Sequence, residues 1–254
     1  MFDQTDNAMM RFCMETTRRR MDMQDAQTTP AFDYALLPGG RAVITRGCAT
    51  GACEIPAEVD GCPVTAIGAW AFACCPGLTQ VTLPDSVISI GEGAFACCDA
   101  LEKVHMPPGL RSVGVHAFAE CTALTALRLP DGVTEAPEGL CRGCRSLSAL
   151  EFPGNLQHIG TRAFSGCIAL AALRLPEGLQ EIGEMAFFGC HGLQQVTLPG
   201  SLASMGSSAF AFCRGLESAQ LSEGAACIGA QAFFGCPALR RIALPASFFR
   251  RKKP

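Results

Sequence analysis

The chain has 254 residues, 49% of them apolar and 17% charged, with a formal net charge of −3. That composition supplies material for a core and excludes disorder over most of the length. The mild acidity removes the electrostatic case for nucleic acid, and no run approaches the ~18 apolar residues that span a bilayer.

Residues 1–31 form an N-terminal extension, polar and mixed in charge. A short helix near 7–25 (Met9, Met10, Phe12, Cys13 and Met21 among charges) or disorder is expected there. The basic-then-apolar order of a secretory signal is missing, so the chain as written is expected either to stay in the cytoplasm or to stand without the leader of its full-length form. Residues 32–68 read as an N-terminal cap. Phe32–Tyr34 and Ile44–Thr45 are expected to pair as a β-hairpin around Pro38-Gly39-Gly40. An irregular first turn follows from Glu54-Ile55-Pro56. Ile55 stands 17 residues before Phe72, whereas Leu83 stands 12 before Phe95, so five extra residues fall near Val59-Asp60-Gly61-Cys62.

From 69 to 249 the sequence repeats every 23 residues. Phe72, Phe95, Phe118, Phe164, Phe187, Phe210 and Phe233 share one register, with Cys141 in the single vacancy. Three residues after each of these eight anchors stands Cys75, Cys98, Cys121, Cys144, Cys167, Cys190, Cys213 or Cys236. Six after stands leucine, from Leu78 to Leu239, and twelve after stands proline in seven of eight units, Ser222 being the exception. Eight copies without an insertion are the signature of stacked repeats. Within a unit, Leu78, Val81 and Leu83 point inward while Thr79, Gln80 and Thr82 point out, and Pro84 ends the strand because it has no N–H for a ladder. A second apolar pair follows, such as Val87 with Ile90, and then a glycine column: Gly91, Gly114, Gly160, Gly183, Gly206 and Gly229. Either a positive φ or a close backbone approach would require it. Pro137 breaks that column. One unit cannot bury its own edge, but eight stacked units can, as a quasi-one-dimensional solenoid.

This pattern closely resembles the BspA-like leucine-rich-repeat family, the 23-residue bacterial class. VTLPDSVISIGEGAFACC (81–98) and LRLPEGLQEIGEMAFFGC (173–190) match its unit almost term for term, and the likeness covers roughly 32–248. The resemblance implies a mainly β, right-handed solenoid of about eight turns, used for adhesion or protein binding at the cell surface, with no catalytic residues. Unit four, with Ala136, Pro137 and Cys141, and unit seven, with Ala219, Ser222 and Ala225, depart from it and are expected to pack more loosely.

The cysteine column reads as a ladder of small buried thiols acting as weak donors at a tight corner. Cys74 and Cys97, beside it, are the best candidates for a disulfide. Cys141-x-x-Cys144 has the spacing of half a zinc site or a redox pair, but both residues belong to inward columns. Cys48, Cys53 and Cys62 cluster in the cap and could hold zinc with one further ligand. No metal and no cofactor is expected. His105, His116, His158 and His191 occupy four different repeat positions and do not converge, and no phosphate loop or nucleophile elbow is present, so the chain is not expected to be an enzyme.

The outward strand columns are the expected binding face. One reads Thr82, His105, Arg128, Glu151, Arg174, Thr197; the other includes Lys103, Ala126, Ala149, Ala172 and Gln195. Lys103, His105, Arg128, Glu151, Arg174, Gln195 and Thr197 are thus the candidate contacts for a protein, peptide or glycan partner. A solvated ladder of charges, in a structural protein that assembles through its ends, is the alternative. Trp70 is read as cap packing rather than a sugar platform. At the far end, Phe248 and Phe249 could cover the last rung, and 250–254 form a basic tail that discourages end-to-end pairing.

Overall fold

The computed structural model describes residues 31–225 and 228–245. The segment read as helix or disorder, all but its last residue, lies outside that range, as do Phe248, Phe249 and the basic tail. Every described element is a strand, a turn or a bend. Five strands build the N-terminal end: β1 (Ala31–Leu37), β2 (Arg41–Cys48), β3 (Gly51–Glu54), β4 (Glu58–Val59) and β5 (Cys62–Ile67). Thirteen short ones follow: β6 (Leu78–Thr82), β7 (Ser89–Ile90), β8 (Lys103–His105), β9 (Ser112–Val113), β10 (Ala126–Arg128), β11 (Glu135–Ala136), β12 (Ala149–Glu151), β13 (His158–Ile159), β14 (Glu181–Ile182), β15 (Gln195–Leu198), β16 (Ser204–Met205), β17 (Ser218–Leu221) and β18 (Arg241–Ala243).

The expected hairpin is β1 antiparallel to β2, turned by Gly39 and Gly40 at φ 87° and 67°. The five extra residues make a second hairpin: Glu58 faces Pro63 and Val59 faces Cys62, with Asp60 and Gly61 at φ 49° and 71° between them. Two positive-φ residues are what a two-residue turn needs to match strand twist. The cap also does more than close an edge. β2 stacks in parallel on β5 (Ile44 opposite Ile67) and β3 on β6 (Glu54 opposite Thr82). It therefore adds a turn, and the solenoid has about nine rather than the eight counted from Ala-Phe units.

Each turn contributes to two ladders. One carries β3, β6, β8, β10, β12, the single bridge Ala172–Gln195, β15, β17 and β18; the other carries β2, β5, β7, β9, β11, β13, β14 and β16. Between them the Ala-Phe segment bends back, linked rung to rung by bonds such as Phe72 N–H to the Ala94 carbonyl (2.7 Å) and Phe187 N–H to that of Ala209 (2.8 Å).

The rings of this segment stack along the core: Phe72, Phe95 and Phe118 at 5.2 and 5.5 Å, and Phe164, Phe187, Phe210 and Phe233 at 5.5, 5.1 and 5.8 Å. Phe32 of β1 closes the first stack edge-on at 6.1 Å from Phe72. The gap between the stacks is the rung of Cys141. There Phe152, in a column that is Leu or Met in the other units, lies edge-on 5.5 Å from Phe164 and replaces the missing ring volume from another direction. Unit four stays closed: Ala136, Leu140 and Cys141 are fully buried.

The thiols have a common partner. Cys98, Cys121 and Cys144 each donate Sγ–H to the carbonyl of the anchor phenylalanine one rung earlier, at 3.1 Å; Cys190, Cys213 and Cys236 do the same at 3.3, 3.2 and 3.2 Å, and Cys167 donates to Cys141 at 3.3 Å. A buried carbonyl at a corner is thereby satisfied by the one small side chain that is also apolar.

The glycine column is explained by close approach. A Cβ on Gly91, Gly114 or Gly206 would stand 2.5, 2.4 or 2.4 Å from a backbone nitrogen of the preceding rung. Positive φ instead falls on two other columns flanking the anchor. Two residues before it stand Trp70, His116, Arg162, Met185, Ser208 and Gln231 at φ 53–58°, with Gly93 and Gly139 at 54° and 59°. Two after it stand Cys74, Cys97, Glu120 and Phe212 at φ 56–58°, with four glycines at 69–78°. Trp70 is partly buried, its ring lying where a Cβ on Gly93 would be, so it packs rather than projects.

Candidate functional site

All seven candidate residues are exposed on the first ladder. Lys103 and His105 lie on β8, Arg128 on β10, Glu151 on β12, and Gln195 and Thr197 on β15. Arg174 lies two residues past the isolated bridge at Ala172. The parallel register sets them in columns: Thr82 opposite His105, Arg128 opposite Glu151, Gln195 opposite Ser218, Thr197 opposite Gln220. Alternation of small inward turns and short strands fixes these directions, because Leu127 and Leu150 between them are buried.

Electrostatically the row is discontinuous. Arg128 Nε lies 3.7 Å from Glu151 Oε2, with the side chains 80% and 69% exposed. Such a pair adds little stability in water. Among the described residues no ion pair continues it from Glu151 to Arg174. A second pair, Arg142 with Glu120 at 3.6 Å, lies by the Ala-Phe turn, and burial pushes the Glu120 carboxyl above the usual carboxylate range.

The structure adds what the columns do not convey: a groove of about 430 Å³ lined by Val104, His105, Met106, Pro108, Arg128, Pro130 and Asp131. It opens where β8 and β10, though neighbours in the stack, are not hydrogen-bonded. The second ladder is interrupted at the same rung, between β9 and β11. Part of the cause is Pro137. In six of the other units the glycine at this position donates across the rungs, as Gly114 does to Ile90 (2.8 Å) and Gly160 to Ala136 (2.7 Å). Proline has no N–H to give. A further proline, Pro108, stands where the other units place Asp, Gly, Glu or Ala after the column proline.

The groove has an apolar lining of Val104, Met106, Pro108 and Pro130 under three polar groups, His105, Arg128 and Asp131. That is the composition of a site that seats one apolar group and orients it by a few polar contacts. Its lining contains no hydroxyl, thiol or amine nucleophile. Of the seven candidates it brings His105 and Arg128 together, with Glu151 joined through the ion pair; Lys103 lies on the same strand, and Arg174, Gln195 and Thr197 lie several rungs away. Its other five lining residues were not picked out from the sequence. The available signal was the pair of departures, Pro108 and Pro137, one rung apart.

Cysteine positions bear on metal chemistry. Cys48, Cys53 and Cys62 lie on β2, β3 and β5, and burial pushes the Cys53 thiol up to about 11. Among the described residues no three His, Cys, Asp or Glu side chains stand close enough to hold a metal ion, and no helix is long and apolar enough to cross a membrane.

Stacked 23-residue turns, an inward leucine column and an outward strand ladder define a leucine-rich-repeat solenoid. Residues 59–170 and 134–252 match the family model for the BspA type leucine-rich repeat region, with six copies. The chain belongs to that family. It is similar to the crystal structure of a leucine-rich repeat protein of T. pallidum, with 32% identity over 88% of this chain and 94% of that one, and a TM-score of 0.57. It is also similar to a leucine-rich cell surface protein of Faecalibacterium prausnitzii (26% identity, 86% and 77% covered, TM-score 0.56). A leucine-rich repeat protein of Bacteroides ovatus shares the fold (24%, 86% and 70%, TM-score 0.53). Comparison with curated proteins gives no match.

Proposed function

We propose that this protein is a non-catalytic binding module that holds a protein or peptide partner against its first strand ladder, anchored in the groove between β8 and β10. The observation that carries the reading is where the groove lies. The groove falls on the outward columns where a solenoid presents its contacts, and it does so at the rung where the ladder is open. An apolar side chain of the partner fits among Val104, Met106, Pro108 and Pro130, while Arg128 and Asp131 offer a cation and a carboxylate to its flanks. Repetition of outward positions from half-buried Thr82 to exposed Gln220 supplies the rest of the contact at one residue per rung. The cell-surface character of the F. prausnitzii relative supports a partner met outside the cell.

A photo-crosslinking amino acid at Pro108 in the native host, compared with one at exposed Gln180 on the opposite ladder, tests this. The expected result is one adduct at position 108, lost with Arg128→Glu and absent at position 180. Equal labelling at both positions would remove the groove from the function.

A further inference from the structure

The two ends of the solenoid finish differently. Among the described residues the C-terminal end finishes in β18, three residues long, with Arg240 and Arg241 exposed and Pro245 just beyond. Short length, charge and proline are features that keep an edge strand from pairing. The N-terminal end finishes in β1, seven residues that pair on one side only, with β2. Its sequence, AFDYALL, has one charge and no proline, though Pro30 and Pro38 bracket it. The irregularity of the hairpin falls on the inner strand. Asp33 faces Arg46 and Tyr34 faces Ile44, so the extra residue is Thr45 and the backbone of β1 stays regular. Tyr34, Leu36 and Leu37 are 39%, 53% and 39% exposed, three of the eight exposed large apolar side chains among the described residues.

This strand is complementary to itself. Successive side chains alternate between faces, so Phe32, Tyr34 and Leu36 share one face, that on which Phe32 meets Phe72. An antiparallel pair of β1 strands overlapping along all seven residues sets Tyr34 opposite Tyr34 of the second copy. Phe32 then faces Leu36, Asp33 faces Ala35 and Ala31 faces Leu37. Odd positions meet odd and even meet even, so the backbone groups that point away from β2 meet groups that also point outward. The apolar face becomes continuous across both copies, and Asp33 meets no like charge. We infer that the protein forms a two-fold dimer, end to end, by antiparallel pairing of β1 with β1 of a second copy. The second ladder continues from one copy into the other, and the assembly is closed because both unprotected edges are used. It carries two strand-ladder grooves, one per copy. A strand folded back from residues 1–30 fits the edge less well. That segment has no glycine for a tight turn, and Pro30, next to β1, has no N–H.

The test is sedimentation velocity of the full chain under reductant, at up to about 100 μM, which populates even a micromolar interface. A mass twice that of one chain is expected. Leu36→Lys is expected to weaken the dimer about tenfold or more, because one substitution alters two symmetry-related contacts. Ile168→Lys, at an exposed apolar site on another rung, leaves the mass unchanged. So does Arg128→Glu, which separates this surface from the groove. A photo-crosslinking residue in place of Leu36, in a mixture of isotope-labelled and unlabelled chains, is expected to join one chain to the other near Phe32. The crosslink needs no added charge, so it decides the matter if Leu36→Lys does not fold. A monomer at every concentration overturns the proposal. So does a dimer that folded Leu36→Lys leaves intact, or a crosslink from position 36 to residues 1–30 of the same chain, since the edge would then be covered from within.

Discussion

Two residues of each Ala-Phe turn sit in the left-handed region, and ten of the sixteen are not glycine. An L side chain there costs about 1 kcal/mol or more. Because the bend is set by the rung beneath it, the cost is imposed by stacking and not by local sequence, and glycine marks it at only six of the sixteen positions. That is why these columns are invisible in the sequence whereas the close-approach glycines are plain. Gln231, exposed at φ 56°, isolates the effect. Gln231→Gly is expected to raise the unfolding free energy by about 1 kcal/mol, while Gln231→Ala does not, as read by urea titration. The thiols give a second prediction. Burial, reinforced by neighbouring thiols, pushes Cys98, Cys121, Cys141 and Cys167 well above the ordinary value. The unfolded chain therefore loses these protons near pH 8.5 while the folded chain keeps them. Stability is fully present below that pH and falls above it, by about 1.4 kcal/mol per pH unit for each such thiol, until the folded groups ionise. Urea midpoints measured under reductant at pH 7, 9 and 10 check the slope.

At the scale of the element, most of the architecture is legible because one period sets both ladders. The inward leucines, the strand-ending prolines and the hairpin around Gly39 and Gly40 all lie where their local chemistry requires. Two things were hidden. The cap's own turn lacks an Ala-Phe pair: Gly47 takes its place, and Phe72 fills the space a Cβ on Gly47 would enter. Phe152's role was hidden as well, because substitution across a core is a matter of three-dimensional volume. The glycine column gives the sharpest element-scale test. Gly206→Ala would put a Cβ 2.4 Å from the Glu184 nitrogen, whereas at Gly154 nothing lies within 4 Å. The first is expected to lower stability by about 2 kcal/mol or more, as overpacking against backbone does. The second is expected to be neutral or to stabilise by about 0.5 kcal/mol. Equal effects in thermal melts would contradict the close-approach account.

For the molecule as a whole, both ladders are interrupted at the rung between β8 and β10 (the first is interrupted again between β12 and Ala172), and the two sides are joined there by the Ala-Phe turn and its bonds, such as Phe118 N–H to the Leu140 carbonyl at 2.9 Å. Native-state hydrogen exchange is expected to show faster exchange at Met106 and Thr134 than at their counterparts Leu129 and Gln157, which keep bonds of 3.1 and 2.8 Å to neighbouring rungs. The candidate site was half legible for the same reason. Columns of outward residues follow from the period, but a groove arises only where the period is broken, and a break must be seen in three dimensions to be located.

The bonds that cross from rung to rung in the Ala-Phe units share a sequence offset that hardly varies: twenty-two residues for the backbone of the bend, twenty-six for the thiols. Among the described residues no rung bonds to any other than its neighbours. Gain or loss of one unit would leave every remaining contact in register and change the length by a single step of ~4.8 Å. The molecule is in that sense a ruler, whose reach can be reset by duplication without redesign of either end.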